Sequence, residues 1–160
     1  MIIIMKVDEQ ILNIKLLDPY VVNILKKEGW SENRYYDMKY WIHELTIEGY
    51  VYFEYALDIL ENLGGLTFHV KDDCNHKGAQ FDFNPFFAAT GEFDRLAQFQ
   101  LLAKEELFPI GSMCAAIVYV GRSKNIYWGS MNSLYWAGRT IEDYLNNLFD
   151  KEYESQEIVG

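Results

Sequence analysis

The chain has 160 residues, half of them hydrophobic and 16% aromatic, and a formal net charge of −10. This composition is sufficient for one hydrophobic core without disulfides or metals, and it excludes disorder for most of the chain. The excess of carboxylates excludes nucleic acids and anionic membranes as partners, because binding phosphates requires cations. A basic protein is the better partner.

The first residues and the two cysteines predict where the protein acts. Residues 1–6 have too short an apolar run, with too little positive charge before it, for a signal peptide. No window approaches the roughly 18 uninterrupted apolar residues of a membrane span. Cys74 and Cys114 form no framework pattern, which favours reduced thiols. We therefore expect a cytoplasmic protein that does not associate with membranes.

Three helices are predicted in the first 65 residues, after residues 1–16, whose loose alternation in polarity predicts a lead-in or an edge strand. Asp18 is a helix cap followed by Pro19, and apolar residues at helical spacing run from there to Gly29. Similar spacing predicts helices over 37–48, with Asp37 as its cap, and over 52–63, which ends at a glycine pair.

The apolar period then changes to two, and the second half is predicted to contain most of the strands. We expect strands over 66–70, 80–84, 113–120, 125–128 and 133–137, with helices over 92–105 and 140–149. Short connections between the last three strands favour an antiparallel meander. The acidic residues 151–160 predict a frayed tail. The fold class is therefore α+β, a single domain over 17–150 with a mostly antiparallel central sheet and helices packed around it.

No set of residues forms a recognisable active site. The run Gly111-Ser112-Met113-Cys114 lacks the second glycine of a nucleophile elbow, and an alternating strand would bury Cys114. Histidine, cysteine and aspartate crowd into residues 69–76, but their spacing matches no standard zinc site and is common in polar turns. His43 is predicted on a helix surface. We expect no catalysis, no metal and no cofactor.

The charge distribution provides the candidate binding residues. Residues 40–70 contain no lysine or arginine. They contain five carboxylates, which we take as candidates for binding a partner: Glu44, Glu48, Glu54, Asp58 and Glu61. The last three share one predicted helix face. Such a face accelerates association with a cationic partner, although it could equally be an ordinary solvated surface.

The aromatic pairs Tyr127-Trp128 and Tyr135-Trp136 lie in predicted strands. Neighbouring residues of a strand point to opposite faces, so both rings of a pair cannot be buried on the same face. Either some of these rings lie at an interface, where tyrosine and tryptophan are favoured, or helices cover both faces of the sheet.

A set of short motifs runs through most of the chain. They are Trp30, Arg34 and Asp37 after the first helix, the segment Leu60-Glu61-Asn62-Leu63-Gly64-Gly65-Leu66, the segment Phe108-Pro109-Ile110-Gly111, the hairpin Tyr127-Trp128-Gly129, and Gly138 before the closing helix. In order and spacing, over roughly residues 18–150, they resemble the SUKH superfamily of bacterial immunity proteins, most of all its third group.

The resemblance implies an α+β fold and a cytoplasmic antidote that binds and neutralises a toxin domain. The toxin is often a nuclease of a polymorphic or contact-dependent system, and the family contributes no catalytic residues. We therefore expect a non-enzymatic immunity protein whose partner is a basic toxin domain. The alternatives are a general intracellular interaction module of the same fold and a metal enzyme that uses the loop over residues 69–76.

Overall fold

The structure, a computed structural model, describes residues 11–70 and 79–160. Within these residues the chain forms six α-helices and one seven-stranded sheet. The helices are α1 (Pro19–Lys27), α2 (Lys39–Glu48), α3 (Glu54–Leu63), α4 (Pro85–Ala89), α5 (Phe93–Ala103) and α6 (Ile141–Leu148). The strands are β1 (Thr67–Val70), β2 (Ala79–Asp82), β3 (Leu107–Met113), β4 (Ala116–Gly121), β5 (Ile126–Ser130), β6 (Ser133–Gly138) and β7 (Gln156–Ile158).

The strands follow one another across the sheet in the order of the sequence. Each strand pairs with the next in antiparallel orientation, from β1 at one edge to β7 at the other. This is the antiparallel meander that the short connections predicted, extended to the whole sheet. The α+β fold class is confirmed.

Helices cover both faces of the sheet. Phe81 of β2 pairs with Met113, which pairs with Ala116, so Phe81 lies on the opposite face from Tyr119 by strand alternation. The ring of Phe99 in α5 contacts Tyr119, and the ring of Tyr144 in α6 contacts Phe81. The central strand β4 is consequently buried at every position.

The chain before α1 is held along α6. The backbone N–H of Asn13 donates to Glu142 at 3.0 Å, and that of Asp18 donates to the Asn146 side chain at 2.9 Å. The Asn146 amide donates in return to the carbonyl of Leu16 at 2.8 Å. Residues Ile14–Leu16 form a 3₁₀ turn, so the described part of the predicted lead-in is not a strand. Residues 1–10 lie outside the described residues.

One predicted strand, over residues 113–120, is wrong because it crosses a turn. The chain reverses at Cys114 and Ala115, with Cys114 at φ 57°, and the two arms are the separate strands β3 and β4. Cys114 is therefore exposed in a turn instead of packed inside a strand. It is also disulfide-bonded, so the prediction of a reduced thiol is wrong at this position. Cys74 lies outside the described residues.

Three elements were not predicted: β3, of which the strand predicted over 113–120 includes only Met113, helix α4 and strand β7. Helix α4 begins at Pro85, and the side chain of Asn84 caps it by accepting from the N–H of Phe87 at 3.0 Å. Strand β7 lies in the segment that was expected to fray, and it pairs with β6 through Leu134 and Ile158. The expectation of a frayed tail is not met there.

Candidate functional site

The sequence motifs meet around one buried amide. Asn62, at the end of α3, accepts from the indole N–H of Trp30 at 2.8 Å and donates to the carbonyl of Arg34 at 3.2 Å. The Arg34 guanidinium donates to the carbonyl of Asn62 at 2.9 Å. These contacts fasten the segment after α1 to α3, so Trp30, Arg34 and Asn62 support the fold.

Three of the five candidate carboxylates share one face of α3. Glu54, Asp58 and Glu61 follow at steps of four and three residues, and none of them is fully buried. The opposite face carries the buried side chains Ala56, Ile59, Leu60 and Leu63. We call these three carboxylates the acidic stripe.

Two cations lie close to the start of the acidic stripe. The guanidinium carbon of Arg122 lies 4.9 Å from the ring centre of Phe53, and Nζ of Lys124 lies 5.1 Å from that of Tyr55. Both belong to the turn between β4 and β5. The Arg122 side chain is also paired with Glu106.

The other two candidates lie on α2 and differ in their surroundings. Glu44 is half-buried, and its carboxylate lies 3.6 Å from Nδ1 of the exposed His43. Glu48 accepts from the backbone N–H of Gly91 at 2.8 Å through Oε1. Its Oε2 is buried with no hydrogen-bond partner among the described residues. Glu48 therefore fastens α2 to the segment before α5.

The outer face of α2 carries large apolar side chains that sequence reasoning missed. Tyr40 and Ile47 are 62% and 68% exposed, and their spacing of seven residues places them on one face together with His43 and Glu44. We call these four residues the outer α2 face. The signal was available in the sequence, because Tyr40 and Ile47 lie opposite the apolar residues that were assigned to the core.

The exposed apolar surface continues from α2 onto α4. The Tyr40 ring contacts that of Phe86, with centres 5.3 Å apart, and the neighbouring Phe87 is 81% exposed. Contiguous exposed apolar surface with charged groups at its margin is typical of protein interaction sites. The outer α2 face and Phe87 therefore form the strongest candidate surface for a protein partner.

The aromatic pairs of β5 and β6 do not lie at an exposed surface. Tyr127 is buried, and its hydroxyl donates to Glu105 at 2.6 Å. Burial is the larger cause, and this hydrogen bond a smaller cause, of the raised pKa of that hydroxyl. Trp128 stacks on Tyr135 with centres 3.9 Å apart and donates to Ser155 at 2.9 Å. Of the two alternatives left open, a sheet covered on both faces is the correct one.

A cavity of about 980 Å³ opens between α6 and the sheet. Trp128, Tyr144 and Tyr153 line it, and His69 and Val70 lie at its rim. Residues 71–78, which hold most of the metal loop considered above, begin directly after Val70 and lie outside the described residues. We assign no site to this cavity. Among the described residues, no three metal-binding side chains come together.

The described residues define a class of protein. They form one α+β domain around an antiparallel sheet, with an outward apolar face on α2 and a carboxylate stripe on α3. None of their helices is both long and apolar enough to cross a bilayer.

The family follows from a match over most of the chain. The model of the SUKH-3 immunity protein family matches residues 17–151. The chain belongs to this family, which confirms the resemblance seen in the sequence. Searches of the curated proteins and of the solved structures each returned no significant match.

Proposed function

We propose that this immunity protein neutralises a toxin domain by binding it one to one, without catalysis, in the cytoplasm of the cell that makes it. Membership of the SUKH-3 immunity protein family is the observation that carries the proposal. A cytoplasmic site of action fits an antidote that meets its toxin inside the cell.

The net charge of −10 supports a basic toxin domain, such as a nuclease, as the partner. A nuclease binds the phosphates of its substrate with cationic side chains. An inhibitor that occupies the same groove therefore presents carboxylates in place of the phosphates. Aromatic and aliphatic anchors supply the buried centre of such an interface. The outer α2 face provides both kinds of group, since Glu44 lies between Tyr40 and Ile47 on one helix surface.

The first experiment is a calorimetric titration of the full chain with the purified C-terminal domain of the protein encoded beside it, at two salt concentrations. We expect one-to-one binding that weakens as salt rises, because screening reduces the attraction between opposite charges. Absence of binding at both salt concentrations would count against a toxin partner. It would favour the general interaction module.

Charge reversal then tests whether the acidic stripe contributes. The triple change Glu54→Lys, Asp58→Lys and Glu61→Lys should weaken binding by about tenfold or more and flatten its salt dependence. The matched control, Glu152→Lys, Glu154→Lys and Glu157→Lys, changes the net charge equally at exposed positions near the C-terminus. If both triples weaken binding equally, only the net charge matters and the stripe is not part of the interface.

Alanine substitution tests the outer α2 face separately. Tyr40→Ala with Ile47→Ala should weaken binding by about 2 kcal/mol or more, as expected for anchors at the centre of an interface. Leu101→Ala is the control, because Leu101 is 79% exposed on α5. Unchanged affinity of the Tyr40 and Ile47 variant would remove this face from the proposed interface.

A further inference from the structure

A groove of about 400 Å³ opens where α2, α4 and the β1–β2 hairpin meet. Its aromatic walls are the rings of Tyr36 and Trp41, which stack with centres 4.7 Å apart, and Phe87, which is 81% exposed. The side chain of Asn84 accepts from the backbone N–H of Phe87, and this cap holds the backbone at Phe87 in place. The aromatic rings that border the groove therefore lie on segments that are themselves held in place.

The aromatic stack depends on a glycine beneath it. Gly65 has φ +83°, a conformation that side chains disfavour, and a Cβ there would lie 2.8 Å from the Tyr36 ring. The backbone N–H of Tyr36 also donates to the carbonyl of Glu61 at 2.6 Å. The position of Tyr36, and with it the shape of the groove, is set by close backbone contacts.

One carboxylate lines the groove. Asp82 Oδ1 accepts from the Thr67 hydroxyl at 2.7 Å and from the Gln80 amide at 3.0 Å. Among the described residues, Oδ2 of Asp82 has no hydrogen-bond or ion-pair partner. The side chains of Thr67 and Gln80 thus orient the half-buried carboxylate of Asp82. Its other oxygen, Oδ2, is left for a ligand.

We propose that this groove receives an arginine side chain of the toxin partner. The inference rests on the proposed function and adds to it a position and a residue type. A planar guanidinium stacks on aromatic rings and donates to a carboxylate in the same plane, which a lysine ammonium cannot do. The groove and the outer α2 face are both built on α2 and α4, through Trp41 and Phe87 in the groove and through the contact of Tyr40 with Phe86 on the outer face.

A cation of the chain itself, Arg34, lies beside the groove. The guanidinium carbon of Arg34 lies 5.8 Å from the ring centre of Tyr36, and this side chain donates to the carbonyl of Asn62. Arg34 is held on α3 and is not a lining residue of the groove. Asp82 is the lining residue that carries a negative charge, so it provides the attraction for an incoming cation.

The test uses a small probe and does not depend on the toxin. The full ¹⁵N-labelled chain is titrated with N-acetyl-arginine methylamide, followed by the matching lysine and citrulline compounds, and backbone amide shifts are recorded. We expect saturable shifts at Gly65, Thr67 and Asp82 with arginine, weaker binding with lysine, and none with citrulline, which is neutral. Absence of saturable shifts with arginine, or equal binding of citrulline, would overturn the proposal.

Two variants identify the groups that bind the probe. Asp82→Asn keeps an oxygen for Thr67 and removes the charge, and should weaken arginine binding about tenfold. Phe87→Ala should weaken it about threefold through the loss of one aromatic face. Asp94→Asn and Leu101→Ala change exposed residues of α5 and should leave binding unaltered.

The same variants separate this proposal from the proposed function. If the wild-type chain binds the toxin domain and Asp82→Asn binds it equally well, the groove is not part of the interface and the immunity function stands. If the wild-type chain does not bind the toxin domain, the proposed function fails, while the arginine titration still decides whether the groove binds a guanidinium.

Discussion

Asn62 connects two parts of the chain that are distant in sequence. Its amide pairs with the indole of Trp30 on one side and with the backbone of Arg34 on the other, and both Asn62 and Trp30 are almost completely buried. A buried polar side chain is stable only when its hydrogen bonds are made. The pairing gives these motif residues a role in the fold, although they take no part in the candidate surface.

Asn62→Ala should lower the free energy of unfolding by about 2 kcal/mol, because it leaves the buried indole N–H of Trp30 without a partner. Urea denaturation followed by circular dichroism measures the change. Asn23→Ala, at an exposed position of α1, is the control and should cost less than about 0.5 kcal/mol.

A double-mutant cycle tests the reason given. In a Trp30→Phe background the donor is already absent, so Asn62→Ala should cost less than it does in the wild-type chain. Equal costs in the two backgrounds would show that the Trp30 hydrogen bond is not what Asn62 contributes.

At the scale of elements, a glycine sets how closely α5 approaches the sheet. A Cβ at Gly129 in β5 would lie 2.7 Å from the ring of Phe99, which is fully buried between α5 and β4. Real side-chain carbons essentially never come so close. The absence of a side chain at Gly129 therefore allows the aromatic ring to pack directly on the strand.

Gly129→Ala should lower the free energy of unfolding by about 1–3 kcal/mol, the usual cost of overpacking a core. The cost should fall when Phe99 is also shortened to leucine, because the smaller side chain makes room for the methyl group. Ser130→Ala, at the next position of β5, is the control. A Gly129→Ala variant as stable as the Ser130→Ala control would show that the ring moves aside freely.

Elements with a local signal could be predicted, and elements without one could not. Helical spacing identified α1, α2, α3, α5 and α6, and the Thr140 cap is present as expected, accepting from the N–H of Asp143 at 3.2 Å. The prediction of Asp37 as the cap of α2 is wrong, because that helix begins after Met38. The turn at Cys114 and Ala115 contains no glycine, proline or asparagine, so nothing in the sequence divides β3 from β4. Helix α4 was not predicted because it is too short to show helical spacing. Its start, Asn84-Pro85, does carry the same cap signal as Asp18-Pro19.

The same distinction holds for the candidate site. Spacing along one helix placed Glu54, Asp58 and Glu61 on a common face. It could not show that Glu48 binds Gly91, because that contact joins residues 43 positions apart. The groove at Asp82 was missed for the same reason, since its walls come from three separate segments of the chain.

At the scale of the whole molecule, burial of tyrosine makes stability sensitive to alkali. Burial is the main cause of a raised hydroxyl pKa in Tyr50, Tyr55, Tyr119, Tyr127, Tyr144 and Tyr153. It raises the pKa of Tyr55 to about 12 from an ordinary value of 10.0. The folded state therefore keeps these protons at pH values where the unfolded chain loses them.

The free energy of unfolding should be insensitive to these groups below pH 10 and should fall as pH rises from about 10 towards 12. In that window the unfolded state binds fewer protons than the folded state, so the slope is negative. Urea midpoints at pH 9, 10 and 11 measure it.

Tyr55→Phe removes one of these groups and should make the slope less negative by up to about 1.4 kcal/mol per pH unit. The variant also removes the hydroxyl that accepts from the N–H of Ile141 at 3.1 Å, so its stability at pH 7 is measured first. The exposed Tyr35→Phe is the control. Equal slopes for both variants would contradict the assignment to Tyr55.

The meander and the lead-in before α1 have opposite consequences for the order in which the chain folds. Every strand pairs with its neighbour in sequence, and the turns that join β3 to β4, β4 to β5 and β5 to β6 are short, so these hairpins can close as soon as they are synthesised. The contacts of Asn13 and Asp18 with α6 span 129 and 128 residues. Since α6 is synthesised more than 100 residues after this segment, the lead-in reaches its final place only once the rest of the sheet has been made.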